Sequence, residues 1–348
     1  MIRLGGPGLA NGGVSFKTCE IFNNAAESSL IRMQQNQSKL IIEDTKFASN
    51  HGPILSTSNV PYVTLINSSL SSNVNNVPSD YYNEDGEVAP MISVAGASEV
   101  LLGNVIINLN QISIGASDLV SVTNLRGNST FRTSNCTITS NSVTGAIISA
   151  SGSKSLIGGR CQNQGSIVFE NSSFVGNSMS NPTKVQGLLN AECASSIVAS
   201  SIEFLSNLQA TVNATASDFE ALVSFTTAPR QQSLVQRCLF QENVCGNVAV
   251  ALNAGNGLLS NSLIQQSCFR ANIFGGPAAA SMSYSPNNVQ LLWIRSSNFF
   301  ADSNVFLDNQ TFGSATQKCF GLLHGTTDSG SSQTCDAFES NFCPWSFQ

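Results

Sequence analysis

Large apolar residues recur along the chain, and each is followed three positions later by an asparagine. The pattern is clearest in the tetrapeptides FASN at 47–50 and FVGN at 174–177. Its members are Ile21–Asn24, Phe47–Asn50, Leu70–Asn73, Ile107–Asn110, Ile138–Asn141, Phe174–Asn177, Phe204–Asn207, Phe240–Asn243 and Phe269–Asn272. Phe299–Asp302 continues the series with aspartate in place of asparagine. Successive apolar anchors lie 23 to 37 residues apart, which indicates about ten copies of an imperfect repeat of roughly 30 residues.

Within each repeat, apolar and polar residues alternate. Between Ser166 and Asn177, for example, Ile167 and Phe169 alternate with polar or smaller residues before the anchor Phe174. Alternation with many β-branched residues predicts strands, and the Asn, Ser and Gly between them predict turns. No segment combines a helical stripe with capping residues. We therefore predict an all-β chain: a right-handed, single-stranded parallel β-helix over residues 1–304, with a cysteine-containing C-terminal cap over residues 305–348.

The asparagine that closes each repeat has a predicted structural role. Asparagine tolerates the left-handed backbone conformation of a sharp turn, and we expect it to adopt that conformation here. Stacked strands lie about 4.8 Å apart, so aligned side-chain amides can hydrogen-bond up the stack. The predicted asparagine ladder comprises Asn50, Asn73, Asn110, Asn141, Asn177, Asn207, Asn243 and Asn272.

Two further positions of the repeat share a character. The residue two before the anchor is small or carries a thiol in most repeats: Cys19, Thr45, Ser68, Cys136, Ser172, Cys238, Ser267 and Ser297. Residues two apart share a strand face, so we expect this position to point inward beside the anchor. The residue three before the anchor should point outward, and the sequon asparagines Asn67, Asn135 and Asn171 occupy it.

The charge and composition of the chain argue against two classes of interaction, with nucleic acids and across a membrane. Charged residues make up 10% of the chain, the net charge is −6, and the 15 lysines and arginines are scattered, which argues against nucleic-acid binding. No apolar run approaches the roughly 18 residues of a membrane-spanning helix, so we predict no membrane span. The N-terminus lacks the apolar core of a secretion signal and residues 4–24 already follow the repeat. We therefore expect a segment of a longer protein.

Cysteines and sequons favour an extracellular or cell-surface location. The chain has 10 cysteines and few charges, which is typical of an oxidising compartment. Seven candidate glycosylation sites point the same way, although some sequons arise by chance in a chain so rich in Asn and Ser: Asn36, Asn67, Asn128, Asn135, Asn171, Asn213 and Asn309.

The cysteine spacing separates free thiols from candidate disulfides. Cys19, Cys136 and Cys238 lie in non-adjacent repeats, too far apart to bond, so we predict three buried free thiols. Candidate disulfide cysteines are Cys161 and Cys193, which lie at similar offsets in successive repeats, and Cys319, Cys335 and Cys343 in the tail. The tail cysteines with His324 also form a zinc-ligand set, but they contain no C-x-x-C pair. We therefore predict no metal and no cofactor.

An acidic insert lengthens one repeat at residues 74–90. It carries four carboxylates and two tyrosines, namely Asp80, Tyr81, Tyr82, Glu84, Asp85 and Glu87. Carboxylates are calcium ligands, but the spacing does not match an EF-hand, and a solvated acidic loop is the plainer interpretation. Exposed aromatic residues are favoured interface anchors, so these six residues are the candidate binding site.

Parallel β-helices also carry polysaccharide-cleaving enzymes, which makes catalysis the main alternative to binding. Such an enzyme needs carboxylates that converge on one groove. Glu43 and Asp44 are adjacent, but neighbours on a strand face opposite ways. We predict no enzyme activity and no catalytic residues. The alternative is a polysaccharide lyase, a glycoside hydrolase or a carbohydrate-binding module, which would bring together three or more of Glu43, Asp44, Glu170, Glu203 and Glu242.

The tetrapeptides FASN, FVGN, FLSN, FQEN and FRAN resemble the F-x-x-N repeats of polymorphic membrane protein passengers, over roughly residues 4–304. The companion G-G-A-I motif of that family is missing, with Gly145–Ile147 as a faint echo, and so is the autotransporter barrel. The resemblance implies a β-helix with an adhesive or structural surface role and no catalytic residues. The implied partner is a protein or glycan of a host or neighbouring cell, or another copy in a filament or coat.

Overall fold

The computed structural model describes seventeen stretches of the chain. They are residues 2–4, 12–34, 39–76, 89–113, 117–125, 127–153, 165–180, 187–210, 221–227, 231–245, 248–253, 261–274, 290–295, 298–307, 309–311, 322–325 and 331–334. Every regular element within them is a β-strand, and these stretches contain no helix. The prediction of an all-β chain is therefore confirmed for the part that the structure describes.

The strands are short and follow one another closely. The first eighteen are β1 (Ile2–Leu4), β2 (Val14–Lys17), β3 (Glu20–Phe22), β4 (Ile31–Gln34), β5 (Lys39–Glu43), β6 (Lys46–Ala48), β7 (Leu55–Ser58), β8 (Tyr62–Ile66), β9 (Ser69–Ser71), β10 (Val74–Asn75), β11 (Ile92–Ala95), β12 (Glu99–Gly103), β13 (Ile106–Asn108), β14 (Gln111–Ile112), β15 (Val120–Leu125), β16 (Thr130–Ser134), β17 (Thr137–Thr139) and β18 (Ser142–Val143). The others are β19 (Ile148–Gly152), β20 (Ser166–Val175), β21 (Ser178–Ser180), β22 (Leu189–Glu192), β23 (Ser196–Leu205), β24 (Leu208–Ala210), β25 (Ala221–Thr226), β26 (Gln232–Gln236), β27 (Leu239–Gln241), β28 (Val244–Cys245), β29 (Val248–Asn253), β30 (Asn261–Gln265), β31 (Cys268–Arg270), β32 (Ile273–Phe274), β33 (Gln290–Arg295), β34 (Asn298–Asp302), β35 (Val305–Leu307), β36 (Gln310–Thr311), β37 (Leu322–Gly325) and β38 (Ser331–Thr334).

These strands form three stacked sheets. Sheet A has the order β1-β4-β7-β11-β15-β19-β22-β25-β29-β33-β37-β38, and sheet C has the order β10-β14-β18-β21-β24-β28-β32-β36. The remaining 18 strands form sheet B. Each repeat runs from a strand in sheet A through a bent segment in sheet B to sheet C, where the first two repeats contribute only the bridges Ala25↔His51 and His51↔Val74. Equivalent strands of successive repeats pair in parallel, as in β20 on β23.

Two sharp bends in each repeat are made by single residues with positive φ. The first bend divides sheet B and lies at Thr18, Asp44, Asn67, Asn104, Asn135, Asn171, Ser201, Arg237, Gln266 and Ser303. The second lies between sheets B and C, at Asn23, Ser49, Ser72, Leu109, Ser140, Gly176, Ser206, Glu242 and Ala271. Each residue of the second bend immediately precedes a ladder asparagine. The prediction that the ladder asparagines themselves are left-handed is therefore wrong: the preceding residue makes the turn, and the asparagine side chain secures it.

One continuous core runs through the stack. Along most of the described strands buried residues alternate with more exposed ones, so that the inward set is mostly apolar, as the period of two predicted. Anchor phenylalanines of successive repeats stack on one another. Ring centroids are 5.3 Å apart for Phe174–Phe204, 4.7 Å for Phe204–Phe240 and 4.6 Å for Phe240–Phe269.

A close approach between repeats explains the glycine of the short GAI segment. A Cβ on Gly145 would lie 2.6 Å from the Asp118 carboxylate and 2.6 Å from the backbone of Ser117. Asp118 also accepts a hydrogen bond from the backbone N–H of Ala146 at 2.8 Å. Only glycine lets the chain pass this close to the preceding repeat before β19 begins.

The repeat pattern continues beyond residue 304. Phe306 pairs with Phe269, and Asn309 follows it at the ladder offset. The expected member Asp302 instead lies at the end of β34 opposite Gln265 in sheet B, so its assignment to the ladder is wrong. β37 adds a further parallel strand to sheet A, and β38 pairs with β37 in antiparallel orientation. Cys319, Cys335 and Cys343 of the predicted cap lie outside the described residues.

Candidate functional site

The asparagine ladder is the most regular polar feature of the molecule. Its members are Asn24, Asn50, Asn73, Asn110, Asn141, Asn177, Asn207, Asn243, Asn272 and Asn309. At Asn207 the side-chain oxygen accepts both the backbone N–H and the side-chain amide of Asn177, each at 3.0 Å. The Asn207 amide donates to the carbonyl of Phe174 at 2.8 Å and to Asn243 at 2.9 Å. Each interior asparagine thus joins three successive repeats.

A second polar column lines the inner side of the first bend. Ser172 and Ser267 donate their hydroxyls to the carbonyls two residues earlier, at 2.7 and 3.1 Å, and accept the backbone N–H of the preceding repeat. Asn304 continues the column, accepting the N–H of Ser267 at 3.0 Å. Ser172 and Ser267 are buried, as the sequence predicted for this position. Asn304 is also buried, although the sequence had placed Ser297 here. Both columns therefore join repeats inside the stack, and neither is available to a ligand.

Four of the described cysteines are free thiols. Cys136, Cys238 and Cys245 are buried, whereas Cys19 is half-buried, so the prediction of burial is wrong for Cys19 alone. Burial raises the pKa of the Cys136 thiol and raises that of Cys238 to about 12. Such thiols are protonated at neutral pH and therefore make poor nucleophiles.

Two described cysteines are oxidised. Cys193 and Cys268 are each disulfide-bonded. The spacing of the cysteines had not singled out Cys268, because its repeat offers no neighbouring cysteine in register. Cys161 lies outside the described residues, so its pairing with Cys193 stays a prediction.

The candidate glycosylation sites occupy different environments. Asn67, Asn135 and Asn171 are exposed on the first bend, as predicted, and Asn128 is also exposed. Asn309 differs, because it is 8% exposed and its side chain belongs to the ladder. Asn36 and Asn213 lie outside the described residues.

The carboxylates of the enzymatic alternative are spread over the surface. Glu43 forms an ion pair with Lys17 at 2.7 Å, and Glu170 forms one with Arg132. Asp44 and Glu242 occupy a first and a second bend, and Glu203 lies on the outer face of β23. Glu43 and Glu170 are four repeats apart, or roughly 19 Å along the stack.

The predicted binding insert falls on a part of the chain outside the described residues. Asp80, Tyr81, Tyr82, Glu84, Asp85 and Glu87 all lie within residues 77–88. The tail set with His324 falls outside them too, since only the backbone of His324 is described. Among the described side chains, no group of three or more His, Cys, Asp or Glu is placed to hold a metal ion. The same part of the chain contains no helix long and apolar enough to cross a bilayer.

One surface feature had not been recognised from the sequence. The central outward position of sheet A carries a column of hydroxyl and amide side chains in register: Ser56, Ser93, Ser121, Ser149, Asn190 and Ser224. We call these six residues the serine face. They lie in different sequence contexts 28 to 41 residues apart, so only the strand register brings them together.

Comparisons with protein-family models, with curated proteins and with solved structures find no match.

Proposed function

We propose that this chain is the repeat region of an extracellular or cell-surface protein, and that it acts in adhesion or as a structural surface component by binding without catalysis. The proposal is based on the different roles of the inward and the outward side chains. Inward residues are committed to packing and to hydrogen bonds between repeats, as in the Asn177–Asn207–Asn243 segment of the ladder. Function is left to the outer faces and the inserts.

The proposal includes a closed, right-handed coil. Successive strands of one repeat go to sheets A, B and C in turn, and the chain then returns to sheet A next to its own previous strand. Parallel strands joined by a crossover are right-handed in nearly all proteins. We further propose that the residues after β36 cap the stack, because a terminal repeat otherwise exposes a strand edge and core. The antiparallel pairing of β38 with β37 supports such a cap.

The position of the carboxylates favours binding over polysaccharide cleavage. General acid–base chemistry on a glycosidic bond requires two carboxyl groups about 5–10 Å apart. Glu43 and Glu170 form ion pairs with basic side chains in separate repeats. Asp44 lies at a first bend, whereas Glu242 lies at a second bend. This distribution supports a surface that makes contacts without assembling a reactive pair.

The sequence resemblance to polymorphic membrane protein passengers supports the same function. In that interpretation the partner is a protein or glycan on a host or neighbouring cell. Repeated weak contacts along a stack of about ten repeats gain affinity through avidity. The acidic insert at residues 74–90 is proposed as a specific contact within this surface, because it contributes the tyrosines Tyr81 and Tyr82.

Attachment of the purified chain to cultured cells tests the proposal. Fluorescent beads coated with the chain should bind cells saturably, and the soluble chain should compete. A variant in which a Gly/Ser linker of equal length replaces residues 77–88 should bind at least several-fold more weakly. Replacement of residues 254–260, which contain no charged or aromatic residue, is the matched control and should not change binding.

Two outcomes contradict the proposal. Bead attachment no greater than for beads coated with an unrelated protein would remove the adhesive role. Release of reducing ends from a polysaccharide at an ordinary enzyme rate, abolished by Glu170→Gln or Glu203→Gln, would replace it with the enzymatic alternative.

A further inference from the structure

The side chain of Cys268 lies on the outer face of sheet B. Its neighbours Ser267 and Phe269 are 1% and 0% exposed and point inward, and successive side chains of a strand point to opposite sides. Leu239 is in register with Cys268 and is partly exposed, and Ile106, at the same position of an earlier repeat, is 49% exposed. Cys268 is nevertheless only 3% exposed. Another part of the chain therefore covers this point of the outer face.

The partner of the Cys268 disulfide lies outside the described residues. Of the other five cysteines that the structure describes, four are free thiols and only Cys193 is disulfide-bonded. Cys193 precedes β23, and β27 separates β23 from β31, so Cys193 and Cys268 lie two repeats, or about 9.6 Å, apart along the stack. Bonded cysteines have Cα atoms at most about 6.8 Å apart. The partner of Cys268 is therefore one of four cysteines, namely Cys161, Cys319, Cys335 and Cys343.

The position of Cys161 along the chain suits Cys193 and not Cys268. The carbonyl of Gly165, four residues after Cys161, accepts the backbone N–H of Ser195 at 2.9 Å. Ser195 is two residues after Cys193, so Cys161 and Cys193 are both within four residues of this contact. Gly165 is three repeats from Cys268, a rise of about 14 Å that equals the full length of four extended residues. Cys268 also lies beyond the first bend of its repeat, so Cys161 does not reach it.

The β37–β38 hairpin divides the three tail cysteines into a pair and a single residue. Leu322 on β37 pairs with Thr334 on β38. Cys319 is three residues before Leu322, and Cys335 directly follows Thr334. These two cysteines therefore flank the same end of the hairpin and suit each other, which leaves the third tail cysteine for Cys268.

The third tail cysteine, Cys343, has the length of chain needed to reach Cys268. It is nine residues after Thr334, and nine residues span about 30 Å when extended. β35 stacks on β31, β37 begins the next repeat, and β38 adds one more strand. Thr334 is therefore three strand spacings, or about 14 Å, from the level of Cys268. The remaining length is enough to cross the two-residue strands of sheet C.

We propose that Cys268 is bonded to Cys343, and that residues 335–348 thereby cover the outer face of sheet B in the last repeats. The inference rests on the proposed extracellular location and cap, and it names the bond that holds the cap in place. In forming the bond, two thiols lose two protons and two electrons to a disulfide oxidant of the secretory pathway, which is reduced to two thiols. The segment has aromatic residues on both sides of Cys343, which suits burial against the partly exposed side chain of Leu239.

Peptide mapping of the oxidised chain tests the bond directly. The chain is secreted from an oxidising host, its free thiols are alkylated and its glycans removed, and it is digested without reduction by trypsin and a glutamate-specific protease. Residues 243–270 should be found linked to residues 340–348. The link should disappear in Cys343→Ser, in which Cys268 becomes alkylated. The matched control Cys238→Ser removes a free thiol from the neighbouring repeat and should keep the link.

Oxidation of exposed side chains by hydroxyl radicals tests whether residues 335–348 cover sheet B. In Cys343→Ser this segment is released, so oxidation of Leu239 should rise at least twofold relative to the unmodified chain. Leu208, which is 45% exposed on sheet C, is the internal control and should react equally in both chains.

Several results would overturn the inference. They are a link from Cys268 to a peptide that contains Cys161, Cys319 or Cys335, alkylation of Cys268 in the unmodified chain, and unchanged oxidation of Leu239 in Cys343→Ser. A covalent dimer through Cys268 on a non-reducing gel would assign the bond to a second copy of the chain and refute it as well. These results leave the adhesive role standing, because the attachment assay tests that role separately. A secreted chain with all 10 cysteines reduced would contradict both the bond and the proposed extracellular location.

Discussion

The side-chain oxygen of Asn243 accepts two hydrogen bonds from Asn207, one from its backbone N–H at 3.0 Å and one from its side-chain amide at 2.9 Å. Both residues are buried, so neither group can be satisfied by water. The same two-bond unit recurs between every pair of ladder neighbours from Asn24 to Asn309. The ladder thus fixes the second bend of each repeat against the next, and a defect at one rung leaves partners unpaired in the repeats on both sides.

Asn207→Ala should therefore destabilise the stack. The substitution removes the acceptor of the Asn177 backbone N–H and the donor to the Phe174 carbonyl, both of which are buried. Each buried group left unpaired costs about 1–3 kcal/mol, so we expect the free energy of unfolding to fall by about 2–4 kcal/mol. Asn190→Ala, on the outer face of the same repeat, should change it by less than about 0.5 kcal/mol. Urea unfolding followed by circular dichroism measures both changes. Similar midpoints for the two variants would show that the ladder hydrogen bonds contribute little to stability.

The phenylalanine stack should depend on its central ring. Phe240 is fully buried and stacks with its neighbours at centroid distances of 4.7 and 4.6 Å. Phe240→Ala should cost about 3–5 kcal/mol through lost burial and the cavity that remains. Leu239, the preceding residue, lies on the outer side of the same strand, and Leu239→Ala should cost far less. Thermal unfolding of the two variants provides the comparison, and equal losses would contradict the assigned strand faces.

Replacement by serine should cost little stability at one buried thiol and more at another. Cys238 already donates to the carbonyl of Gln236 at 3.3 Å, and Ser267 makes the equivalent bond in the next repeat. Cys238→Ser should therefore change the free energy of unfolding by less than about 1 kcal/mol. Cys245 is fully buried and has no hydrogen-bond partner among the described residues, so Cys245→Ser should cost about 1–3 kcal/mol. Equal costs, measured by urea unfolding, would contradict the different environments of the two positions.

The buried Cys238 thiol should make the stability of the fold decrease at alkaline pH. Burial raises the pKa of Cys238 to about 12 from an ordinary value of 9.0. Above pH 9 the unfolded chain loses a proton that the folded chain retains, so the free energy of unfolding falls as the pH rises toward 12. The loss approaches about 1.4 kcal/mol per pH unit for one such group. Urea unfolding measured below and above pH 9 should show a smaller decrease for Cys238→Ser than for the unmodified chain. An identical decrease would mean that Cys238 ionises without unfolding.

The sequence was informative wherever one residue type performed the same task in every repeat. Phe174, Phe204 and Asn207 recur at a fixed offset because an anchor must stack and an amide must bond to its own kind, so strand faces and ladder were predictable. The left-handed residues were not, because the second bend accepts residues as different as Leu109, Glu242 and Gly176. Their backbone conformation is imposed by the strands and the ladder on either side.

Features that depend on the register between strands could not be predicted from the sequence. Phe306–Asn309 and Phe299–Asp302 both fit the local pattern, and only the pairing of Phe306 with Phe269 shows which of them belongs to the ladder. The serine face is similarly distributed over six repeats of unequal length. Its residues become neighbours only after each insert has been excluded from the stack.

Glycan occupancy at each sequon should depend on how exposed its asparagine is in the fold. Asn135 and Asn171 are exposed on the first bend of adjacent repeats, where the flanking pairs Ser134↔Glu170 and Thr137↔Ser173 are in register. Two glycans rooted about 4.8 Å apart would crowd each other. In chain secreted from a glycosylating host, we expect both sites to be used, with occupancy at Asn171 rising in Asn135→Gln.

Asn309 is the internal control for this prediction. Its side-chain oxygen accepts the backbone N–H of Asn272 at 3.0 Å, and its amide donates to the carbonyl of Phe269 at 2.9 Å. A glycan on that amide nitrogen would replace a donor hydrogen and force the buried side chain out of the ladder. Mass spectrometry of peptides after enzymatic glycan removal should therefore find Asn309 unmodified in the folded, secreted chain. Substantial occupancy at Asn309, with unfolding stability unchanged, would show that the last rung does not form.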